Sequence, residues 1–434
     1  MPLRTPLFVR HALYAARGGF LVRPMAIALA LGAVGMVLPW LEAQAPGNAS
    51  MLLPFSRADP QVAQVILGDI ATSIMTVVSI VFAILLMTLT LASMQFSPRI
   101  LVSFVRDRVT QWTLGVFLGT FTYCMAALPA AHLFPRPFAP VVTVMGAMLL
   151  ALMCVGWLLF FIHHISQAIS VNHIVDRIAG ETEGVIDEIM PHRRSGATRQ
   201  HHPEAQSEHL ESPVAFSISG YLRFVDTRAL MKWAKDQRLR VRVTRRVGQF
   251  VPSGFPLLMV SRANRLEAED IEALRGAIDI GPTRTLQQDA EFGVLQIVDI
   301  ALRAISPAVN DPSTAITCID QLSRIMIRWI GRDPPEVYLS SPPHVVRVVT
   351  PWITTSELLD TAFEQIRHYA AGDPAVSLRL LRALGDISLA TEDESLRPEL
   401  RRRAIRIIDG ARSRLEADDI FRLEERLGPL RAPA

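Results

Sequence analysis

The stretch IATSIMTVVSIVFAILLMTLTLASMQFSP, residues 70–98, contains no charged side chain. A helix of about 20 apolar residues crosses the hydrocarbon core of a bilayer, which is about 30 Å thick. Buried helices of soluble proteins rarely remain uncharged over such a length. The stretch therefore predicts a membrane-spanning helix, and it decides the fold class of the chain.

Three further stretches are apolar enough and long enough to cross a membrane. They cover residues 22–41, 112–133 and 138–162, and the charge-free stretch gives a span over 70–96. Trp40 and Trp112 fall at span ends, where an amphipathic indole ring prefers the headgroup level. We predict a four-helix transmembrane domain over residues 22–165, preceded by a cytoplasmic N-terminal segment over residues 1–21.

The first span allows a second interpretation. A basic start, an apolar run and the small residues around Ala43-Gln44-Ala45 resemble a secretory signal with its cleavage site. The basic region that precedes the run is longer than such signals usually have. We favour an uncleaved helix; cleavage would leave three spans and the same location for the C-terminus.

Basic residues predict the orientation. Short cytoplasmic loops are enriched in Lys and Arg, and the arginines concentrate before the first span and between the second and third. The set on that side comprises Arg4, Arg10, Arg17, Arg23, Arg99, Arg106 and Arg108, against Arg57 and Arg136 on the other. Both termini are therefore expected in the cytoplasm. We interpret Arg99, Arg106 and Arg108 as interface residues that meet lipid phosphates or couple the membrane domain to the soluble part.

Small and hydroxylated residues follow one face of the second span at alternating steps of four and three. They are Thr72, Thr76, Ser79, Ala83, Leu86, Thr90, Ser93 and Ser97. One interpretation is a packing seam, because such residues let membrane helices approach closely. The other is a wall of a polar pathway repeated around a symmetric homo-oligomer, with Leu86 as a hydrophobic constriction. Packing is the commoner use of such a face.

Composition excludes several classes of function. The net charge of +3 from 44 basic and 41 acidic residues gives no concentrated basic surface for nucleic acid. The lysines are Lys232 and Lys235, so a phosphate loop ending in Gly-Lys-Ser/Thr is excluded. The sequence contains no recognisable catalytic, metal-binding or dinucleotide motif. We therefore predict no cofactor and no metal, and we do not expect an enzyme.

The rest of the chain has the pattern of a cytoplasmic α+β domain. We predict a helical stalk over residues 166–190 and a flexible linker over 191–213, because the linker segment has too few apolar residues to fold. Its histidines could in principle hold a metal, but a solvated linker is favoured; they are His192, His201, His202 and His209. A small α/β unit over 214–265 and a mostly helical domain over 266–434 follow.

Helical periodicity and capping residues locate the elements of this half. Helices are predicted over residues 227–238, 267–278, 285–305, 312–329, 356–371, 374–390 and 396–427. Asp226 and Asp311 are expected to cap two of them. A polar cluster in an apolar context gives a candidate cytoplasmic site: Gln288, Asp289, Asp299, Ser306, Asn310 and Asp311. Helix capping is the favoured role, and a polar pocket or subunit contact is the alternative.

Several of these motifs carry a family resemblance. The run from Ser97-Pro98-Arg99 through Asp107-Arg108 and the stretch 117–123 resemble a bacterial family of predicted membrane proteins, domain of unknown function 2254. Gln288-Asp289 and Ile305-Ser306-Pro307-Ala308-Val309-Asn310-Asp311-Pro312 are similar to that family as well. The resemblance covers nearly the whole chain. It implies a multi-span segment in the bacterial inner membrane followed by a soluble domain, and it implies no activity.

Two hypotheses about function follow. The first is an oligomeric channel or conduit, with the second span lining the pathway and the cytoplasmic domain regulating it. The alternative is a membrane-anchored sensor or assembly platform whose cytoplasmic domain binds a protein partner or a small ligand. Both require the lipid bilayer as a partner, and the first requires a homo-oligomer.

Overall fold

The computed structural model describes residues 22–44, 60–95, 108–129, 140–168, 170–192, 212–261, 266–342 and 345–428. The chain divides into two compact units. We call Met1–Ser170 the N-terminal unit and Val171–Ala434 the C-terminal unit. Each unit is described by itself.

The described part of the N-terminal unit is helical. Its helices are α1 (Val22–Gln44), α2 (Pro60–Gln95), α3 (Arg108–Ala127) and α4 (Val141–Ala168). Three segments are long and apolar enough to cross a membrane: Val22–Gln44, Pro60–Thr88 and Val141–Gln167. The third predicted span corresponds to α3, which is not apolar enough to count among these candidate spans. Length and composition thus identify three candidate spans among the described residues, where the sequence predicted four.

Helix α3 is less apolar than α1, α2 and α4, and most of its residues are buried. Polar side chains along it have partners inside the unit. The Thr113 hydroxyl accepts a hydrogen bond from Trp157 Nε1 at 2.9 Å, and the Tyr123 hydroxyl donates to the carbonyl of Thr143 at 3.0 Å. A membrane helix shielded by its neighbours does not need a fully apolar surface, since its polar groups are satisfied internally.

Helices α1 and α3 pack closely through glycines. A Cβ atom at Gly35 would collide with the Tyr123 backbone, and one at Gly119 would collide with Leu31. The Thr122 hydroxyl donates to the carbonyl of Ala28 at 2.7 Å. Gly115 and Gly119 give α3 the small-xxx-small spacing that permits such close approach.

The C-terminal unit combines helices with two small sheets. Its helices are α5 (Val171–Ile189), α6 (Thr227–Asp236), α7 (Ala268–Gly276), α8 (Ala290–Ala304), α9 (Pro312–Ile330), α10 (Thr355–Tyr369), α11 (Pro374–Ala390), α12 (Arg397–Ala411) and α13 (Ala417–Glu425). Its strands are β1 (Ser212–Ala215), β2 (Gly220–Val225), β3 (Val241–Val243), β4 (Phe250–Val251), β5 (Pro256–Val260), β6 (Ile278–Gly281), β7 (Tyr338–Ser341) and β8 (Val345–Val349).

The sheets join distant parts of the sequence. One has the strand order β1-β5-β3-β8-β7, in which β3 and β8 are parallel and the other pairs antiparallel. The second has the order β4-β2-β6 and is antiparallel. Strands β6, β7 and β8 lie outside the predicted unit at residues 214–265. The sheets therefore extend into the part of the chain that was predicted as mostly helical.

Capping residues and helical periodicity predicted several helices of the C-terminal unit. Asp226 caps α6 and Asp311 caps α9, as predicted. The observed bounds of α11 are Pro374–Ala390, which match the predicted range. The helix predicted over 396–427 is instead two helices, α12 and α13, separated by residues 412–416. The predicted linker falls mostly on residues outside the described ranges.

The segment predicted as a stalk is α5, and it forms part of the core of the C-terminal unit. One face of α5 is buried, and the helix packs against α8 and α9. A Cβ atom at Gly293 of α8 would collide with the Thr182 side chain. The glycine therefore permits a close crossing of α5 and α8.

Candidate functional site

The hydroxylated face of α2 is exposed in the single chain. The six described members of the predicted stripe are all exposed: Thr72, Thr76, Ser79, Ala83, Leu86 and Thr90. The opposite side of α2 packs within the unit, through Leu67, Ile74 and Val81 among others. Nothing is described of the Ser93 side chain, and Ser97, Arg99 and Arg106 lie outside the described residues. Arg108 is the first residue of α3.

Each described hydroxyl of the stripe bonds to its own helix. The side chains donate to the carbonyl four residues earlier, at 2.8–3.0 Å. They are Thr72, Thr76, Ser79 and Thr90. Such back-bonding satisfies the hydroxyl donor in a membrane. The face is thus polar in composition, its described hydroxyl donors are paired, and the described part of the chain leaves it exposed.

The predicted cytoplasmic cluster is divided between the two ends of α8. Gln288 and Asp289 precede the helix, whereas Asn310 and Asp311 follow it. The helix has 15 residues, which corresponds to a length of about 22 Å. The structure therefore does not bring these two pairs together, and Asp299 lies between them within α8.

Asp289 is the centre of a buried ion-pair network. Arg284 donates from Nε and from Nη2 to its two carboxylate oxygens, both at 2.8 Å. Asp289 also caps α8 by accepting from the Phe292 amide at 3.1 Å. Glu291 extends the network, since it accepts from Arg284 at 3.0 Å and from Arg246 at 3.2 Å. This bidentate, buried geometry fixes the start of α8.

Burial governs the charge states in this network. It raises the pKa of Asp289, while the hydrogen bonds from Arg284 and from the Phe292 amide act in the opposite direction. Burial also opposes the charge on Arg284, but the hydrogen bonds and charges of Asp289 and Glu291 raise its pKa overall. The arginine therefore remains the fixed positive charge of the network.

A cleft opens beside the network. It is narrow and partly open to solvent, and it is lined by Arg246, Val247, Gln288, Asp289, Ala290, Glu291, Trp329, Trp352 and Ile353. The two tryptophan rings stack with centroids 5.9 Å apart and planes 3° apart. Trp352 Nε1 and Arg246 Nε are buried and have no hydrogen-bond partner among the described residues. Both residues belong to the lining of the cleft.

Gln288 has a structural role at the edge of this cleft. Its side-chain amide accepts from the backbone N–H of Val225 at 3.0 Å and donates to the carbonyl of the same residue at 3.3 Å. Val225 is the last residue of β2. Gln288 therefore ties the start of α8 to the three-stranded sheet.

The part of the predicted cluster that follows α8 forms a tight turn between α8 and α9. The Ser306 carbonyl accepts from the amides of Val309 and Asn310, at 3.0 and 2.9 Å. Asn310 has a left-handed backbone with φ of 49°, which asparagine tolerates better than most residues. Asp311 accepts from the Thr314 hydroxyl at 2.6 Å and from its amide at 3.1 Å, and these bonds lower its pKa. Capping, the favoured prediction, accounts for Asp311.

A further network joins α5 to α9. Arg324 pairs with Asp176 at 2.8 Å and with Glu183 at 2.5 Å. Arg328 and Arg332 both pair with Asp187 at 2.5 Å. The arginines recur every four residues, and that spacing was the sequence signal that could have revealed the network.

The described residues contain no group of three His, Cys, Asp or Glu side chains that could hold a metal ion. His192 lies beside Arg332, with Nδ1 3.0 Å from the guanidinium. The linker residues His201, His202 and His209 lie outside the described ranges.

Comparisons with known proteins agree with the membrane character of the N-terminal unit. The family model described as "Predicted membrane protein (DUF2254)" matches residues 17–386. The chain is 32% identical over 380 residues to uncharacterized protein MT1328 of Mycobacterium tuberculosis (strain CDC 1551 / Oshkosh) and, to the same extent, to uncharacterized protein Mb1321c of Mycobacterium bovis. Each match covers 86% of this chain and 72% of the relative. No solved structure matches the chain significantly.

Proposed function

The chain belongs to the family of predicted membrane proteins DUF2254, and from this premise we propose that it forms a homo-oligomeric conduit in the bacterial inner membrane. In this proposal four helices span the bilayer and both termini lie in the cytoplasm. Helix α2 meets its symmetry mates through the hydroxylated face. The cytoplasmic domain regulates the pathway.

Two properties of α3 support its inclusion as the fourth span. Its 20 residues correspond to a length of about 30 Å, which matches the hydrocarbon core. Its polar groups bond within the unit, as described above, so its moderate hydropathy is compatible with a shielded position in the bilayer. An even number of spans, together with the distribution of arginines, supports cytoplasmic termini.

The exposure of the hydroxylated face carries the proposal. In the single chain the described residues of this face are exposed, although small and hydroxylated residues favour helix–helix contact in membranes. A second copy of the chain would provide that contact. Around a symmetry axis the same face would line the centre of the assembly, with Leu86, which is 53% exposed, as the bulky residue of the stripe.

The test is conductance of the purified full-length chain in planar bilayers. We expect ion conductance that increases when Leu86 is replaced by Ser, because a polar side chain removes the hydrophobic constriction. Leu152→Ser is the matched control, since Leu152 of α4 is 69% exposed and lies outside the stripe. Silent bilayers together with a monomeric mass in detergent would refute the conduit.

The cleft beside Asp289 favours a second candidate, a membrane-anchored sensor or platform. Its unpartnered donors, Trp352 Nε1 and Arg246 Nε, suit a small ligand that offers hydrogen-bond acceptors. Titration with acetate or phosphate, followed by tryptophan fluorescence, would then show saturable binding that Trp352→Phe weakens. Absence of saturation in the unmodified chain would count against this candidate.

A further inference from the structure

The turn between α8 and α9 exposes apolar residues on a rigid backbone. Pro307, Ala308, Val309 and Asn310 are all exposed, and the Val309 side chain is 51% accessible. The backbone bonds to Ser306 hold the turn, and the Asp311 amide donates to the carbonyl of Ala304 at 2.8 Å. A small apolar tip that is already ordered pays little conformational entropy on binding.

The ion pairs between α5 and α9 show that the turn lies at the N-terminal end of α5. Arg324 pairs with acids around the middle of α5, and Arg332 reaches Asp187 near its end, so the two helices run parallel. Helix α9 extends back from Arg324 to its first residue at about 1.5 Å per residue. Over this distance its first residue comes to lie slightly beyond the first residue of α5.

The crossing of α5 and α8 agrees with this position. Gly293 packs against Thr182. Helix α8 turns back along α9, because a short turn joins the two helices and they pack against each other. Ala304 lies 11 residues after Gly293, and Val171 lies 11 residues before Thr182. The end of α8 is therefore level with the start of α5.

The start of α5 is tethered close to the bilayer by the chain itself. The candidate span of α4 extends to Gln167, and Ala168 is joined to Val171 through two residues. Three peptide units reach at most about 11 Å. A tether this short raises the effective concentration of the lipid surface at the turn, so that weak contacts suffice.

We propose that residues 306–310 bind the lipid surface. Pro307, Ala308 and Val309 would enter the headgroup region. The exposed Arg303, in the last turn of α8, would face the phosphates. This inference requires the membrane spans but not the conduit, so it can fail or succeed independently of the conductance experiment.

The test places an environment-sensitive fluorophore on Val309→Cys in the full-length chain. The native cysteines, Cys124, Cys154 and Cys318, are buried, so labelling is selective for the folded protein. The chain is reconstituted into nanodiscs of phosphatidylcholine and phosphatidylglycerol, with and without brominated acyl chains. Glu188→Cys is the matched control, because Glu188 is exposed on α5 about 25 Å from its start.

We expect brominated lipid to remove most of the fluorescence at Val309 and little at Glu188. A label on Ala308→Cys should be quenched as well, and Val309→Asp in the same chain should abolish that quenching. Equal quenching at positions 309 and 188 would overturn the proposal. So would a label at 309 that is shielded from both brominated lipid and aqueous iodide, since protein would then cover the turn.

Discussion

Gly248 is under two constraints at once. Its φ of 90° lies in the region that side chains rarely adopt, and a Cβ atom there would collide with Asp289 and Arg284. Gly254 has a similar φ of 79° but open space around it. Comparison of the two glycines therefore distinguishes the cost of backbone strain from the cost of a steric clash with the buried ion pair.

Substitution of these glycines by alanine should give different losses of stability. We expect Gly254→Ala to cost about 1 kcal/mol from backbone strain, and Gly248→Ala to cost at least about 2 kcal/mol more because the ion pair must move. The measurement is thermal unfolding of the full-length chain in detergent. Equal losses in the two variants would show that the ion pair tolerates the added methyl group.

Asp311 contributes a pH-dependent cap to α9. Its hydrogen bonds with Thr314 lower its folded-state pKa below the unfolded value of about 3.9. Between these two values the unfolded chain binds more protons, so the stabilisation is complete above about pH 5 and is lost as the pH falls through the folded pKa.

Replacing Asp311 with Asn should keep the cap and remove its titration, because Asn is an equally good N-cap residue. Unfolding of Asp311→Asn at neutral pH should match the unmodified chain within about 0.5 kcal/mol. Below pH 4 the variant should lose less stability than the unmodified chain. Identical acid profiles would show that Asp311 does not titrate with folding.

At the scale of elements, α1 and α3 pack closely, and Gly35 permits their approach. Gly35→Ala should lower stability by about 1–3 kcal/mol, because the added Cβ collides with the Tyr123 backbone, which cannot rotate away. Gly156→Ala in α4 is the control, since nothing lies within 4 Å of its added Cβ. Thermal unfolding in detergent compares the two. A neutral Gly35→Ala would contradict the observed packing.

The same contacts bear on the first span, for which the sequence left cleavage open. Glu42 near the end of α1 accepts hydrogen bonds from the amides of Val142 at 2.8 Å and Thr143 at 3.2 Å, at the start of α4. Removal of α1 would leave these amides and the glycine face of α3 without partners. We expect the intact mass of the membrane-purified protein to include residues 22–44. A mass that begins after Ala45 would contradict this.

Elements defined by local signals were predictable from the sequence, and those defined by distant partners were not. Asp226, Asp311 and the range of α11 follow from capping and periodicity. Strand β8 pairs in parallel with β3, about 100 residues earlier, and short strands whose partners are so distant have no local signature. The pairing of Arg246 with Glu291, which lies 45 residues later, was missed for the same reason. The break between α12 and α13 was missed because apolar spacing continues across it.

At the scale of the whole molecule, the sequence predicted a membrane-embedded N-terminal part and a mixed C-terminal part. Family membership and three candidate spans support that division. The fourth span and the oligomer remain proposals, because both depend on what surrounds a helix and not on its own composition. The exposed stripe on α2 is the feature that connects the fold of one chain to an assembly.

Cysteine cross-linking in reconstituted vesicles tests that connection most directly. Ala83 lies in the middle of the stripe and is exposed, whereas Leu152 is exposed on α4; the native cysteines are buried. We predict that oxidation of Ala83→Cys yields a covalent dimer at low protein-to-lipid ratio and that Leu152→Cys remains monomeric. Absence of a dimer from Ala83→Cys, or equal dimer yields from the two variants, would contradict the subunit contact at α2.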